Sequence, residues 1–478
     1  MSQFSAPKKT KGNVMCTSFA RSLPDPWVLA GSKLTATTSI TSTPLGLWTF
    51  LDEPRAIFSS LPPHFPRNKA ATSYAGSMAD PKVAYTDDDG KSGISALSEQ
   101  SSVVDERLLR TVEGRKFNTL TETYFLPADE DEWSRLNKQH MAIGLGLQGL
   151  FPNGDIVRAI LQTKDGEGKS ILDLGCGTGV WSLEMAKAYP RARVVGIDLA
   201  PVPIDPETKP PNCTFEIDNI NNGLTHFDKQ FDVINARLIG FGLQNFRKSM
   251  VDVARCLKPG GIVIWLDGDY DLYWGYPPKY MPPYSEAYPE GSGLQRIFYE
   301  TRRAATAKGS DIFGMSLALD EGLWQQSDIL DPATCQTASL LLPMGEWMKS
   351  DDINEAQLLG FVGKLMRQDI MAAHKGAQPV LLKAGWPQTV LDEWSSKADD
   401  EITNGKVSIR MRLAWGRRRG DSGQPAPALE PIPVDDSERP QVKYPHYEIY
   451  QTKEQSLAAV EKRKAGKNIT PPPFPPSP

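Results

Sequence analysis

The sequence predicts an α/β protein built on a doubly wound parallel sheet, and three observations carry that prediction. In SILDLGCGTGVWSLEMAKAYP, from Ser170, a short apolar run, Ile171 to Leu174, leads straight into a glycine loop and a helix-like segment. Strand-like runs of the same kind recur downstream as ARVVGIDL, CTFEID, FDVINARL and GIVIWLDGD. Loop or helix segments such as FRKSMVDVARCL separate them. Strands and helices alternating at this length pack as a sheet with helices on both faces, and ligands bind at the carboxyl ends of the strands.

Along the chain, residues 1–115 are rich in Ser, Thr, Pro and Gly without sustained periodicity, which predicts a mostly disordered region. The first 25 residues faintly resemble a transit peptide, although arginine is scarce there, and Met78 offers a plausible alternative protein start. The folded body is expected over 118–420. Val180, Leu183, Glu184, Met185, Ala186 and Ala188 suit the helix after the glycine loop, and LKPGG, Leu257 to Gly261, reads as a helix stop and tight turn feeding the next strand. Residues 421–478, with GDSGQPAPALEPIPVDDSERP and TPPPFPPSP, predict a solvated proline-rich tail; docking of such a tail to an aromatic-lined groove is the alternative.

The 478 residues, 40% hydrophobic and 23% charged, are enough for a full core. A formal charge of -5 gives no general attraction to nucleic acid or anionic membrane, so neither is expected as a partner. No run approaches the roughly 18 apolar residues of a spanning helix, and no secretory pattern opens the chain. The five cysteines, Cys16, Cys176, Cys213, Cys256 and Cys335, are odd in number and form no CxxC or Cys/His cluster. Neither a disulfide framework nor a metal site is indicated, which fits a reducing, cytoplasmic compartment.

The glycine loop narrows the ligand. Gly175, Gly177 and Gly179 miss the dinucleotide pattern G-x-G-x-x-G by one position, with Val180 where the last glycine belongs. Asp173 just before the loop would repel a pyrophosphate and hold an ammonium group. S-adenosylmethionine has such an ammonium and an adenosine. Asp198, ending the next strand, is placed to accept from ribose hydroxyls. Asp218, ending the strand after that, could accept from the adenine amino group. A strand-end aspartate taken alone is more often a cap or turn former; three in succession beside the glycines are not explained that way.

At these residues the chain resembles the class I S-adenosylmethionine-dependent methyltransferases, from Ile171 to about Asp267. TYFLPADEDEWSRLNKQHMAIGLGLQGLFPNG upstream, and LGLQNF, LPMGEWMKSDD, LLKAGWPQTVLDEW and IRMRLAWGRR downstream, further resemble the fungal LaeA-like methyltransferases. The resemblance implies a Rossmann-like, seven-stranded sheet. Its cofactor-binding core would be 169–268, its cover and substrate segments 118–160 and 269–400, and its antiparallel closing strand about 407–416. It also implies that Asp173, Gly175, Gly177 and Gly179 contact the methionine part, Asp198 the ribose, and Asp218, Asn219 and Ile220 the adenine, with Cys176 and Leu199 as neighbours in the same set. Arg237 in NARLIGFG has a place but no role in this pattern, and Gly268 to Pro289 is longer and more aromatic than the resemblance implies.

Methyl transfer is an in-line displacement with a neutral leaving group, so alignment can supply most of the catalysis. A base is required only for an acceptor that keeps a proton at neutral pH, such as a phenol or alcohol. The candidates are His140, Asp267, Asp269 and Tyr270; an ordinary hydrogen-bonded structural histidine is the competing reading of His140. Tyr270, Tyr273, Trp274, Tyr276, Tyr280 and Tyr284 either wall a flat apolar acceptor or simply pack a proline-rich loop. The leading function is methylation of a small molecule in fungal secondary metabolism. The alternatives are a nuclear regulator with protein partners, for which the basic PKKTKG near Lys8 is a weak import signal, and a non-catalytic interaction protein on the same fold. A nicotinamide oxidoreductase is disfavoured by Asp173 and Val180.

Overall fold

The computed structural model of the protein describes residues 106–112, 114–430 and 442–467. An antiparallel hairpin, β1 (Leu109–Val112) and β2 (Arg115–Asn118), precedes the first long helix, α1 (Glu130–Leu147). Helix α1 begins where Asp129 caps it, accepting from the Glu132 N–H, while Arg115 clasps the same carboxylate through Nε (2.6 Å) and Nη2 (2.8 Å). Glu130, Asp131 and Glu132 fill the first turn, at the positive end of the helix dipole. Helix α2 (Gly154–Leu161) then turns Val157, Ile160 and Leu161 inward.

The sheet starts with β3 (Ser170–Leu174), and α3 (Val180–Ala188) leads to β4 (Arg193–Asp198), β5 (Cys213–Ile217) and β6 (Phe231–Arg237). Helix α4 (Phe246–Arg255) connects to the long β7 (Leu257–Trp274), which folds back on β8 (Lys279–Tyr280). Helices α5 (Gly293–Ala307) and α6 (Ile312–Glu321), β9 (Gln336–Pro343), α7 (Ile353–Lys383), α8 (Gln388–Asn404) and β10 (Val407–Arg417) complete the body. They are followed by β11 (Tyr447–Tyr450) and α9 (Lys453–Lys464). The strand order is β11-β9-β10-β7-β6-β3-β4-β5, with β8 off this row. Strands β3 to β7 are mutually parallel, and β10 runs antiparallel to both β7 and β9.

The alternation of side chains along each strand builds two cores, one on each face. Ile171, Val194 and Val233 belong to the core covered by α1, α2, α3, α5, α7 and α8, whereas their neighbours Leu172, Val195 and Ile234 belong to the core under α4 and α6. A central strand covered on both faces must be apolar throughout, as β3 is at Ile171, Leu172 and Leu174. Because β3 to β6 are parallel, their carboxyl ends lie side by side, and α1 faces the loops that leave them.

The seven strands that the family resemblance implies are all present, with the closing strand at Val407–Arg417, but the sheet is larger, with nine strands among the described residues. The expected solvated tail does not hold over 442–467. Strand β11 pairs antiparallel with the free edge of β9, Tyr444 is fully buried and donates to the Leu341 carbonyl at 2.9 Å, and Arg463 of α9 pairs with Asp320 at 2.8 Å. The reason is local: YPHYEIY offers aromatic area to an open edge that would otherwise expose unpaired backbone, and the prolines that suggested a tail lie on either side of it. The disorder expected before residue 115 and the alternative start at Met78 fall outside the described residues, except that Leu109–Val112 forms β1.

Candidate active site

Beyond Leu174 the chain leaves β3 through Gly175 (φ +64°), Gly177 (φ +57°) and Gly179 (φ +73°), all in the left-handed region that glycine occupies without a Cβ penalty. Space also demands glycine. A Cβ on Gly175 would stand 2.3 Å from Ile239 Cγ2, and one on Gly179 would stand 2.8 Å from Val202, Ile204 and Phe215. Asp198, at the end of β4, ties the loop down by accepting from the Gly177 N–H (2.8 Å) and the Ala200 N–H (3.0 Å). Burial raises the Asp198 pKa, opposed by these backbone donors. After β5, Asp218 accepts from the Asn219 N–H at 2.7 Å and lies 3.3 Å from His226 Nε2, and Asn219 caps the turn Ile220–Asn222.

These loops open onto a cleft of about 880 Å³, measured to its open mouth. Of the residues singled out from the sequence, Gly175, Cys176, Gly177, Asp198, Leu199, Asp218, Asn219, Ile220 and His140 line it. Asp173 and Gly179 do not. Asp173 lies one layer beneath the loop, where its carboxylate accepts from Ser182 Oγ (2.7 Å) and Asn235 Nδ2 (2.8 Å). Burial raises its pKa to about 6, against the opposing pull of Arg237 and these two donors. Each oxygen of Asp173 thus accepts one protein donor, which fixes the carboxylate beneath the loop. Gly179 is the N-cap residue that precedes α3, packed behind the loop.

The base candidates separate sharply. His140 Nδ1 lies 2.8 Å from Arg237 Nη2, and its Nε2 lies 3.0 Å from Glu184 Oε2. A guanidinium only donates, so Nδ1 accepts and the ring proton sits on Nε2, donating to Glu184. Burial, followed by the Arg237 charge, lowers the His140 pKa, so the ring is held neutral with both nitrogens in use. Asp267 and Tyr270 are not at the cleft. Asp267 accepts from the Gly240 N–H (2.8 Å), the Gly268 N–H (2.8 Å) and Tyr270 Oη (3.0 Å), which fixes the Ile239–Leu243 wall from behind. Its pKa is about 6, raised by burial. Asp269 is buried against Arg410, Arg412 and Tyr273; burial raises its pKa, but the two arginines prevail and hold it well below the carboxylate range. These residues lie within β7 where it runs beside β10, and their side chains are satisfied inside the body. Trp274 and Tyr276 are exposed and lie outside the cleft, Tyr276 packing on His446.

Several cleft residues carried no assignment from the sequence. Helix α1 contributes Leu136, Gln139 and Ile143 beside His140, a helical spacing that reads as one face, and Gln139 donates to Asp369 of α7 at 3.1 Å. Tyr124 lines the opposite wall with Leu238, Ile239, Gly242 and Leu243. Leu238 has φ +58°, a conformation costly for a bulky residue, at the turn where β6 reaches the cleft. Arg237 precedes it and is the one arginine or lysine among the described residues that line the cleft.

Residues 171–261 match a family described as a methyltransferase domain. The secondary metabolism regulator laeA of Coprinopsis cinerea is 36% identical over 199 residues, covering 41% of this chain and 48% of that protein. Methyltransferase str2 of Strobilurus tenacellus is 34% identical over 151 residues (32% and 50%), and methyltransferase pytC of Aspergillus terreus is 29% identical over 247 residues (51% and 66%). The chain thus spans about half the length of the first curated relatives it matches. Its strand order and left-handed glycine loop are those of a class I methyltransferase, and these likenesses make the chain similar to the LaeA-like methyltransferases.

Proposed function

We propose that this chain transfers a methyl group from S-adenosylmethionine to a small-molecule acceptor of secondary metabolism. The observation that carries the reading is the convergence of Gly175–Gly177, Asp198 and Asp218, from three successive strand ends, on one cleft. The residues fit the cofactor: the loop leaves no room for a Cβ at Gly175, and the two aspartates lie along the cleft as acceptors for ribose and adenine. When bound, the cofactor supplies an activated methyl on a sulfonium. The chain's own residues hold it and align the acceptor, for which the wall of Tyr124, Leu136, Ile239 and Leu243 offers an apolar bed.

Because His140 has both nitrogens engaged, the site favours acceptors whose nucleophilic atom carries a free lone pair without losing a proton, such as a neutral amine or a thioether. That chemistry also supports a second reading, methylation of a protein by a nuclear regulator. A relative from Emericella nidulans named protein-methionine methyltransferase laeA is 41% identical over 92 residues, which is 19% of this chain and 22% of that protein. The first reading goes with a cytoplasmic location and the second with a nuclear one.

The test is transfer from methyl-labelled S-adenosylmethionine into an extract of the source cells, separated into protein and metabolite fractions. Label in metabolites supports the first reading and label in protein the second. Cofactor binding without any transfer would leave only a binding protein on this fold.

A further inference from the structure

We infer that Arg237 is the receptor for the carboxylate of the cofactor's amino acid part, and that His140 is the positioning residue that aims it; this rests on the cofactor reading proposed above. Arg237 ends β6 and lines the cleft together with the glycine loop. A single donor, Nη2, reaches a protein acceptor among the described residues, His140 Nδ1 at 2.8 Å. No carboxylate among the described residues lies within ion-pair distance of it. Asp173 and Glu184 are near enough for their fields to favour the charged guanidinium, but Asp173 is taken by Ser182 and Asn235, and Glu184 receives the His140 Nε2–H.

A guanidinium carries five donors in a planar fork and accepts nothing, so four remain after the bond to His140. Arg237 is half-buried, and removing a guanidinium even partly from water without an anionic partner is costly. A carboxylate meets the fork in two parallel bonds. Every other charged side chain on the cleft lining among the described residues is acidic, Asp198 and Asp218, and these lie on the side toward β4 and β5. The lining therefore has one place for an anion and two for hydroxyl or amino donors. S-adenosylmethionine offers one carboxylate at the end opposite its adenosine, which fixes its direction in the cleft. The imidazole matters through its tautomer: Glu184 draws the proton to Nε2, which leaves Nδ1 free to hold the guanidinium in place.

The test is calorimetric titration of the full chain with S-adenosylmethionine and with decarboxylated S-adenosylmethionine, which lacks only the carboxylate. The wild type should bind the intact cofactor roughly 10- to 100-fold more tightly, the range of one charge-assisted pair. Arg237→Met should erase that difference by weakening the intact cofactor alone, and Arg237→Lys should restore part of it. His140→Ala should lose part of the discrimination and His140→Asn, which keeps a short acceptor, should regain it. Equal binding of the two ligands by the wild type overturns the inference without recourse to any variant. Discrimination unchanged in Arg237→Met, or an equal loss for both ligands, also overturns it. Failure of the wild type to bind either ligand would instead remove the cofactor reading itself, and this inference with it.

Discussion

Arg135 of α1 reaches Asp369 of α7 with 2.6 Å between Nη1 and Oδ1, and both side chains are buried. Glu132 takes the other side of the same guanidinium, through Oε1 and Oε2 at 2.6 and 2.9 Å. One arginine thus locks the helix that roofs the cleft to the longest helix of the body. Asp369→Ala leaves Glu132 on Arg135 but strips Nη1 of its buried acceptor, so it should lower the urea unfolding midpoint by an amount equivalent to about 1–3 kcal/mol. The same variant should weaken cofactor binding, because Gln139 also loses its Asp369 acceptor. Equilibrium urea unfolding and calorimetry on one preparation check both effects.

The glycine loop gives a rank order. Gly175→Ala meets both the left-handed φ and a 2.3 Å approach to Ile239, whereas Gly177→Ala meets only the φ, its nearest neighbour being Leu136 Cδ1 at 3.4 Å. Each pays roughly 1–2 kcal/mol for the backbone conformation, and Gly175→Ala pays the displacement of Ile239 in addition. Gly175→Ala should therefore melt at the lower temperature and lose more affinity for S-adenosylhomocysteine. Differential scanning calorimetry and a ligand titration decide the order.

Asp173 makes stability depend on pH in a defined direction. Its folded pKa of about 6 stands above the ordinary 3.8, so its contribution is fully present below pH 3.8 and is lost as pH rises through 6. By neutral pH the ionised carboxylate costs roughly 3 kcal/mol of stability, at about 1.4 kcal/mol per unit. Buried His140 acts oppositely, its lowered pKa making stability rise with pH through about 6.5. The difference curve between wild type and Asp173→Asn isolates the first effect: Asp173→Asn should gain on the wild type between about pH 4 and 6 and level off above it. Chemical denaturation at five pH values measures it.

Tyr444 is the anchor of the C-terminal strand, with no exposed area and a hydroxyl bond to the Leu341 carbonyl. Tyr444→Ala should destabilise the chain by about 3–5 kcal/mol, the range for removing a buried aromatic side chain. It should also raise the hydrogen-exchange rate of the β9 amides that face β11.

Much of this arrangement was legible in the sequence because central parallel strands are apolar without interruption. Ile171–Leu174, ARVVGID and FDVINAR fall within or around β3, β4 and β6, and the ends of β3, β4 and β5 carry the loops that line the cleft. Roles that depend on contacts between distant residues were not legible. His140 and Arg237 are 97 residues apart, and no spacing within either segment announces that one will occupy the other's nitrogen. Asp173 sits at the expected strand end, yet Ser182 and Asn235 claim it from two other elements. Asp267 and Tyr270 stand where the sequence predicts the end of the strand, but β7 runs on through both of them to Trp274, past the cleft. Strand β11 was hidden by composition: a short aromatic segment between proline-rich stretches has no partner until β9 presents its edge.

The central claim, that the cleft at the ends of β3, β4 and β5 holds S-adenosylmethionine, is tested most directly by calorimetric titration of S-adenosylhomocysteine into the wild type and Asp198→Ala. Melting of the unliganded variant first confirms that it is folded. We expect one binding site per chain in the wild type and a loss of at least roughly tenfold in the variant, the worth of a charge-assisted hydrogen bond. Undiminished affinity in a folded Asp198→Ala would contradict the claim and place the ligand elsewhere on the molecule.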